Sequence, residues 1–576
     1  MKRKIVSLVI GLVLTQVYSF SQVAKENVLF DNTLNEGIYL HFNTATLFTG
    51  ESIYYSVYCI STSTGKLSSL SKIAYVELIG ENNENVFNHK IKLNNGTGYG
   101  NYKIPIETPS GNYKIIGYTQ WMRNADKVEV FQNNITIINP YKPSGEIFSI
   151  KKDIVEIKKR ELEIKTSEFL KIKINKKSFK KRSKVSFTLS NKKNQKGGYS
   201  ISVRKVDEID LLQSEKLTPV LFKERYKKPL KGYSKITFLP ELRGELITGK
   251  LIRKTDNKPV SNKKIALSIN QKDFILKIST TNEMGEFYFN VNERYSTERA
   301  IFQKLGKDRE DYNIVINPHS PFKKDSLVFG NFKIPKKYNK IILQRSIYNQ
   351  IENGYQIVKQ DSIIEINDII PFFDKYDEVY KLDDFKRFNS FKDVFIEIIN
   401  NASIVKKSKD EFNFSIKSLN PYLNNTQEVA VIVDGVLLQE YSKLINSDAN
   451  KFKKISVKRT EKKLVLGNKL YDGFIVFETY KRDFNLLNKI DNRLDVSYYR
   501  PEIAKKYFKK EYFKNERTRI PDFRNQLFWE PSIKIENENT QIDFYTSDNI
   551  GTYEISVEGF TNNGLPVSLK EYIIVK

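Results

Sequence analysis

Apolar and polar residues alternate with period two through most of the chain, the pattern of strands that bury one face. Between Ile38 and Pro140 the alternation predicts roughly seven strands, among them Glu51–Ile60, Ile73–Leu78, Asn101–Ile106, Gly111–Tyr118 and Val128–Ile138. Turns are expected at Asn94–Gly98 and Thr108–Gly111, where Asn, Gly and Pro supply the backbone freedom or rigidity that turns need. Short strands at this spacing fit a sandwich of immunoglobulin type. The Pro-rich stretch Asn139–Pro143 marks a boundary. A second β unit continues to Asp207, and a less regular connection ends near Leu239 and Pro240.

The pattern changes between Pro371 and Phe484. Ser390 precedes a helical spacing of Phe391, Val394, Phe395, Ile398 and Ile399, with Asp393 at the third helical position, as in a capping box. Glu428–Val436 is an apolar strand that ends in the turn Asp434–Gly435. Lys453–Arg459 and Tyr471–Thr479 follow as further strands. Beyond them, Gln541–Tyr545, Gly551–Gly559 and Lys570–Val575 read as one more β unit with a turn at Gly564.

Composition then narrows the chemistry. The 576 residues carry 95 Lys and Arg against 68 Asp and Glu, a net charge of +27. Asn, Ile and Lys are abundant throughout, and basic residues concentrate between Lys151 and Lys193. In Leu170–Lys177 the lysines alternate with apolar residues, so a solvated strand face accounts for them. An acidic partner surface, such as anionic lipopolysaccharide or an acidic protein, is compatible with the charge; nucleic acid is not expected, because no nucleic-acid fold signature is present. Lys2, Arg3 and Lys4 precede the apolar run Ile5–Val17, and Ser19 and Ser21 stand before Gln22. This is the pattern of a secretory signal peptide. No cysteine stands near its end, so no lipid anchor is expected. No later run reaches the roughly 20 apolar residues of a membrane helix. The expected location is therefore exported, in the periplasm or associated with the outer membrane.

Two β units resemble known families. The first is similar to the macroglobulin-type sandwich of exported Bacteroidetes proteins over Ser71–Leu78, Pro109–Tyr113, Gly117–Asn124 and Ile135–Pro140. The third resembles the regulatory, prealbumin-like domain of carboxypeptidases over Gly249–Ile252, Asn257–Ser261 and Thr281–Phe289. The succession of a helix, a Val-Asp-Gly-Val strand, the Lys453–Arg459 strand and the Tyr471–Thr479 strand resembles the plug domain of TonB-dependent outer-membrane receptors. Such a plug implies a barrel of about 22 strands, each of about ten residues. Only 92 residues (576 − 484) follow Phe484, so no such barrel is expected. The expected fold class is mainly β: a string of immunoglobulin- or macroglobulin-like sandwiches plus a small α+β plug-like domain. The expected divisions are a signal peptide at 1–21, sandwiches at 22–140, 141–239 and 240–345, a linker at 346–370, the plug-like domain at 371–485, and a C-terminal β unit at 486–576.

Candidate chemistry is sparse. The one cysteine, Cys59, and the three histidines, His41, His89 and His319, stand apart in sequence without zinc-ligand spacing. Cys59 lacks the Gly-Cys-Gly-Glu-Gln setting of a thioester, and there is neither a nucleophile elbow nor a phosphate loop. Asp383 and Asp384 lie in a charged stretch and read as a solvated turn. No enzyme, cofactor or metal is expected. Weak binding candidates are Tyr118 and Trp121, whose rings could stack on a sugar or peptide, and the Asp434–Gly435 turn. Trp529, two residues before Pro531, is placed to pack across a domain junction. The expectation is a non-enzymatic envelope scaffold or docking module, with an outer-membrane barrel or another envelope protein as partner. The alternative is a glycan- or ligand-binding accessory to nutrient uptake.

Overall fold

A computed structural model describes residues 35–125, 128–142, 161–193, 195–212, 216–225, 236–318, 322, 324, 327–329, 334–364, 372–373, 375–408, 411–420, 428–459, 464–466, 469–482, 493–512 and 519–576. The expected signal peptide and His319 lie outside them. The fold is mainly β. Alternation in Glu36–Phe42, Ser52–Ser61 and Thr97–Lys103 builds a three-stranded sheet that faces a five-stranded one, ordered Thr46–Phe48, Phe131–Ile138, Gly111–Tyr118, Ile73–Gly80 and Asn85–Lys92. Ile38, Leu40, Val57, Val76 and Ile115 fill the space between. The turn expected at Asn94–Gly98 is present, with positive φ at Asn95 (49°) and Gly96 (76°), as a two-residue hairpin turn requires. The strand expected at Asn101–Ile106 instead begins at Thr97. Gly100 belongs to the strand, where a Cβ would lie 2.4 Å from the Tyr55 hydroxyl. A turn residue by type is here a packing residue.

The second sandwich is not the local unit that the sequence predicts at 141–239. Its strand Gly197–Lys205 pairs with Gly551–Thr561 on one side, from Gly197 opposite Thr561 to Lys205 opposite Tyr553, and with Gln526–Ile535 on the other. Pro566–Val575 and Ser178–Phe179 complete that sheet, while Asn539–Tyr545, Lys184–Asn191 and Leu170–Ile174 form its partner. The separate C-terminal unit expected at 486–576 is thus corrected: its last four strands complete the second sandwich. Gly197–Lys205 is buried along nearly its whole length, so it needs neighbours on both edges. Strands close to it in sequence do not supply them.

The third sandwich pairs Glu245–Arg253 with Glu286–Val291 and Tyr312–Ile316, opposite a sheet ordered Ile275–Thr280, Lys264–Ile269, Arg299–Lys304 and Arg493–Ser497. That last strand also comes from beyond residue 485. In the α+β unit the helix Phe391–Glu397 is capped by Ser390, whose Oγ accepts from the Lys392 N–H (3.1 Å). Its Phe391 packs edge-on against Phe452 and Phe477. The sheet is ordered Glu378–Lys381, Phe452–Lys458, Lys469–Thr479, Glu428–Val433 and Val436–Leu438, with Glu428–Val433 parallel to Lys469–Thr479. Both faces are covered. Val429, Val431, Ile475 and Phe477 face the helix, whereas Ala430, Ile432, Phe474 and Val476 pack with Ala266 and Leu276 of the third sandwich. This explains the unbroken apolar run in the sequence.

The linker expected at 346–370 is also corrected, because a helix spans Asn339–Gly354. It buries Ile342, Arg345, Ser346 and Asn349 and exposes Leu343 and Ile347. The buried stripe has helical spacing but is mostly polar, so hydrophobic periodicity does not reveal it.

Polar groups join the units. The Tyr39 hydroxyl donates to Glu558 (2.5 Å), and His41 Nδ1 lies 2.6 Å from Ser200 Oγ, between the first and second sandwiches. Lys90 Nζ lies 2.5 Å from Glu245 between the first and third, both side chains being buried, and donates to the Tyr499 carbonyl (2.8 Å). Beside that pair Glu241 accepts from the Tyr75 hydroxyl and the Leu246 N–H. Burial outweighs these bonds and pushes Glu241 up to about 8. A carboxyl raised on folding adds stability that is complete below its unfolded pKa and is lost as pH rises through the folded one. Between about pH 4.5 and 8 Glu241 is therefore expected to lower stability by roughly 1.4 kcal/mol per pH unit at most. Urea denaturation at pH 5 and pH 8 checks this; Glu241→Gln is expected to reduce the difference.

Candidate functional site

A cleft of about 810 Å³ opens where five segments meet. The first sandwich contributes Gly50–Tyr54 and Asn101–Lys103; the end of the Asn339–Gly354 helix and the following turn contribute Asn353 and Gln356. The other walls are Glu502–Phe508 and the approach to the strand Gln526–Ile535. Tyr54, half-buried, meets Tyr507 edge-on at 5.2 Å and Trp529 at 5.9 Å. Trp529 thus packs across the junction between first and second sandwiches, as the sequence predicts, and also touches His41 (5.4 Å).

Beneath the cleft lies a buried ion cluster. Glu51 accepts from Arg204 Nη2 (2.9 Å) and from Arg345 through Nε (3.0 Å) and Nη2 (2.9 Å). Asn525 donates a further bond to Glu51 (3.1 Å). Arg345 spends its remaining donors on Asp207 (3.0 Å), Asp210 (3.4 Å) and the Thr46 carbonyl (3.0 Å). Burial alone would raise the Glu51 pKa, but the two guanidiniums hold it down to about 2. Burial and the neighbouring Asp207 push Asp210 up, whereas Arg345 holds Asp207 down. The planar guanidinium fork suits this task, since its five donors leave in fixed directions. The cluster is a structural device. It joins the first sandwich, the second sandwich and the helix.

The candidates from sequence stand elsewhere. Tyr118 (0 % exposed) donates to Glu77 (2.5 Å) and stacks on Tyr75, while Trp121 is 1 % exposed in a short turn. Neither ring has a free face, and the two do not line the cleft. Asp434 and Gly435 adopt positive φ (48° and 85°). The Asp434 carboxylate accepts from the Thr479 N–H (2.9 Å) and hydroxyl (2.6 Å). A Cβ at Gly435 would lie 2.5 Å from that of Phe274. The bonds fix the turn within the α+β unit, and Gly435 abuts Phe274 of the third sandwich beside a depression of about 500 Å³. Asp383 accepts from the Tyr480 hydroxyl and pairs with Arg387 (2.9 Å). Burial lowers His41 to about 4 and His89 to about 3, so both rings are neutral near pH 7. Cys59 is buried. Among the described residues no group of three His, Cys, Asp or Glu has metal-binding geometry, and no helix is long and apolar enough to cross a membrane. The cleft residues Tyr54, Asn101, Tyr102, Gln356 and Tyr507 carry no local motif; only the amide-rich stretch Asn349–Gln360 sets its wall apart in sequence.

No protein-family profile matches the chain. No curated protein matches it either. Its structural neighbours include macroglobulins and other β-sandwich proteins. The α2-macroglobulin of Salmonella reacted with methylamine is 8% identical with a TM-score of 0.24, covering 94% of this chain and 39% of that one. Native α2-macroglobulin of E. coli is 8% identical with a TM-score of 0.24, over 94% of this chain and 40% of that one. The adhesin InvE of Yersinia pseudotuberculosis is 8% identical with a TM-score of 0.13, over 48% and 57% of the two chains. The chain therefore spans about two-fifths of the length of the macroglobulins it matches.

Removing one partner of a buried ion pair typically costs about 3–5 kcal/mol. Arg345→Met is expected to cost that much in urea denaturation. Adding Glu51→Gln is expected to recover part of the loss, because the two residues share one network.

Proposed function

We propose that the chain is a non-enzymatic exported envelope protein that serves as a scaffold and docking module for an outer-membrane assembly built around a TonB-dependent receptor-like barrel. In this reading the first unit is a macroglobulin-type sandwich, the third a carboxypeptidase-regulatory-type sandwich, and the α+β unit a plug-like domain. The observation that carries it is the mounting of the α+β unit. One end of its sheet is fixed to the third sandwich, where Gln303 Nε2 donates to the Leu437 carbonyl (3.2 Å) and Gly306 N–H to Gln439 (2.8 Å). The other end, Glu378–Lys381, has no further strand beside it among the described residues. There Val379 is 52 % exposed, and Ile396 on the capped helix is 76 % exposed. A firmly mounted unit with a free edge and exposed apolar side chains suits strand addition or helix-face docking to a protein partner. The strands after residue 525 support the same reading, since they are committed to the second sandwich.

The test is mild cross-linking of the tagged full chain in a bacteroidete envelope. Barrel proteins are expected to co-purify, and the Val379→Lys, Ile396→Asp double variant should lower that yield several-fold without changing the melting temperature. Recovery of the wild-type chain as a free monomer contradicts the proposal.

A further inference from the structure

The large cleft is lined by no residue of the α+β unit, and its lining points to a ligand class of its own. We infer that it binds a neutral, linear oligosaccharide. Its volume, about 810 Å³, lies inside the roughly 300–1,000 Å³ of ligand clefts, and extended sugars of a few units fit such a space.

Charge decides the class. Of the carboxylates on the lining, Glu51 is neutralised by Arg204 and Arg345, and Glu352 by Lys359 (2.7 Å). Asp361 accepts from the Phe508 N–H (2.9 Å), and burial raises its pKa as it does that of Glu502. Among the cations, Arg524 is bound by Asp522 (2.7 Å), Lys505 donates to Asn101 (3.3 Å), and the exposed Lys103 donates to Gln356. The four acids and five bases of the lining nearly balance; Glu51, Glu352 and Arg524 are held in ion pairs, while Lys103, Lys505 and Asp361 are held by amides or backbone. A strongly charged ligand would gain little field here and would compete with pairs already made.

What remains is amide and aromatic. Asn101, Asn353, Gln356 and Gln360 line the cleft. The Asn101 and Gln356 oxygens already accept from Lys505 and Lys103, and Asn353 Nδ2 donates to Asn349, but each amide oxygen has a second lone pair and each amide nitrogen a second N–H for sugar hydroxyls. Tyr54 and Tyr102 are only half-buried and line the same wall. Such rings pack on the C–H faces of pyranoses and leave a polar tip for hydrogen bonding. Amides around accessible tyrosines, with the charges cancelled, form a surface for an uncharged polyol.

Calorimetric titration of the full chain tests the inference. The neutral probes are hexasaccharides of glucose in α1–4 and β1–4 linkage and of mannose, xylose and N-acetylglucosamine. The charged probes are hexagalacturonate and a heparin hexasaccharide. Saturable binding of at least one neutral probe is expected, with Kd below about 1 mM. The Asn101→Ala, Gln356→Ala variant, with Gln356 exposed and remote from the ion cluster, should weaken it by about tenfold while its circular dichroism stays unchanged. Failure of every neutral probe to bind overturns the inference, as does tighter binding of the charged ones. Affinity unchanged in the double variant also overturns it, since binding would then lie elsewhere.

Discussion

The carboxylate of Glu51 is the point on which the assembly of the chain turns. It lies buried, where an uncompensated charge would be ruinous. Its compensation comes from Arg204 of the second sandwich and Arg345 of the Asn339–Gly354 helix. These residues are separated by 153 and 294 positions in sequence. Buried pairs of this kind add little net stability over apolar packing, because desolvation offsets the attraction. They do make wrong arrangements costly. If the helix slid by a turn, Glu51, Asp207 and Asp210 would each lose Arg345 together.

The same logic runs through the other junctions. Tyr39, His41 and Tyr58 of the first sandwich meet Ser200 and Glu558 of the second through hydrogen bonds. Lys90 and Glu245 meet between the first and third sandwiches within a cage of Tyr498 and Tyr499. Apolar contact also joins the first and second sandwiches, where Phe560 packs on Tyr39 and Tyr58, and an apolar seam lies between the third sandwich and the α+β sheet. Polar junctions specify one docking geometry, while the apolar one buries the second face of a sheet. The strand crossings add a covalent constraint, since Arg493–Ser497 returns to the third sandwich and Gln526–Val575 to the second. The first sandwich meets both the second and the third, and the chain does not complete them in order.

Local features were legible in the sequence where local chemistry decides them. The Asn95–Gly96 turn, the capped helix at Phe391 and the apolar strand before Asp434 all announce themselves through residue type and spacing. The Asn339–Gly354 helix does not, because its inward stripe is Arg345, Ser346 and Asn349 instead of leucine and valine. Strand partnership is equally silent. The alternation of Gly551–Thr561 marks a strand, but nothing in it names Gly197–Lys205 as neighbour. The cleft inherits that silence, since five segments distant in sequence form it. Tyr118 and Trp121 drew notice as rings that can bind; burial makes them part of the core.

Hydrogen exchange under native conditions, followed along a denaturant series, tests most directly whether the Glu51 cluster makes these parts one cooperative body. The informative amides are those of Ser52–Ser61, of Gly197–Lys205 and of the helix around Arg345. Their opening free energies are expected to converge on a single global value before the unfolding midpoint. Separate opening of the helix or of the first sandwich, with Gly197–Lys205 still protected, would contradict the account.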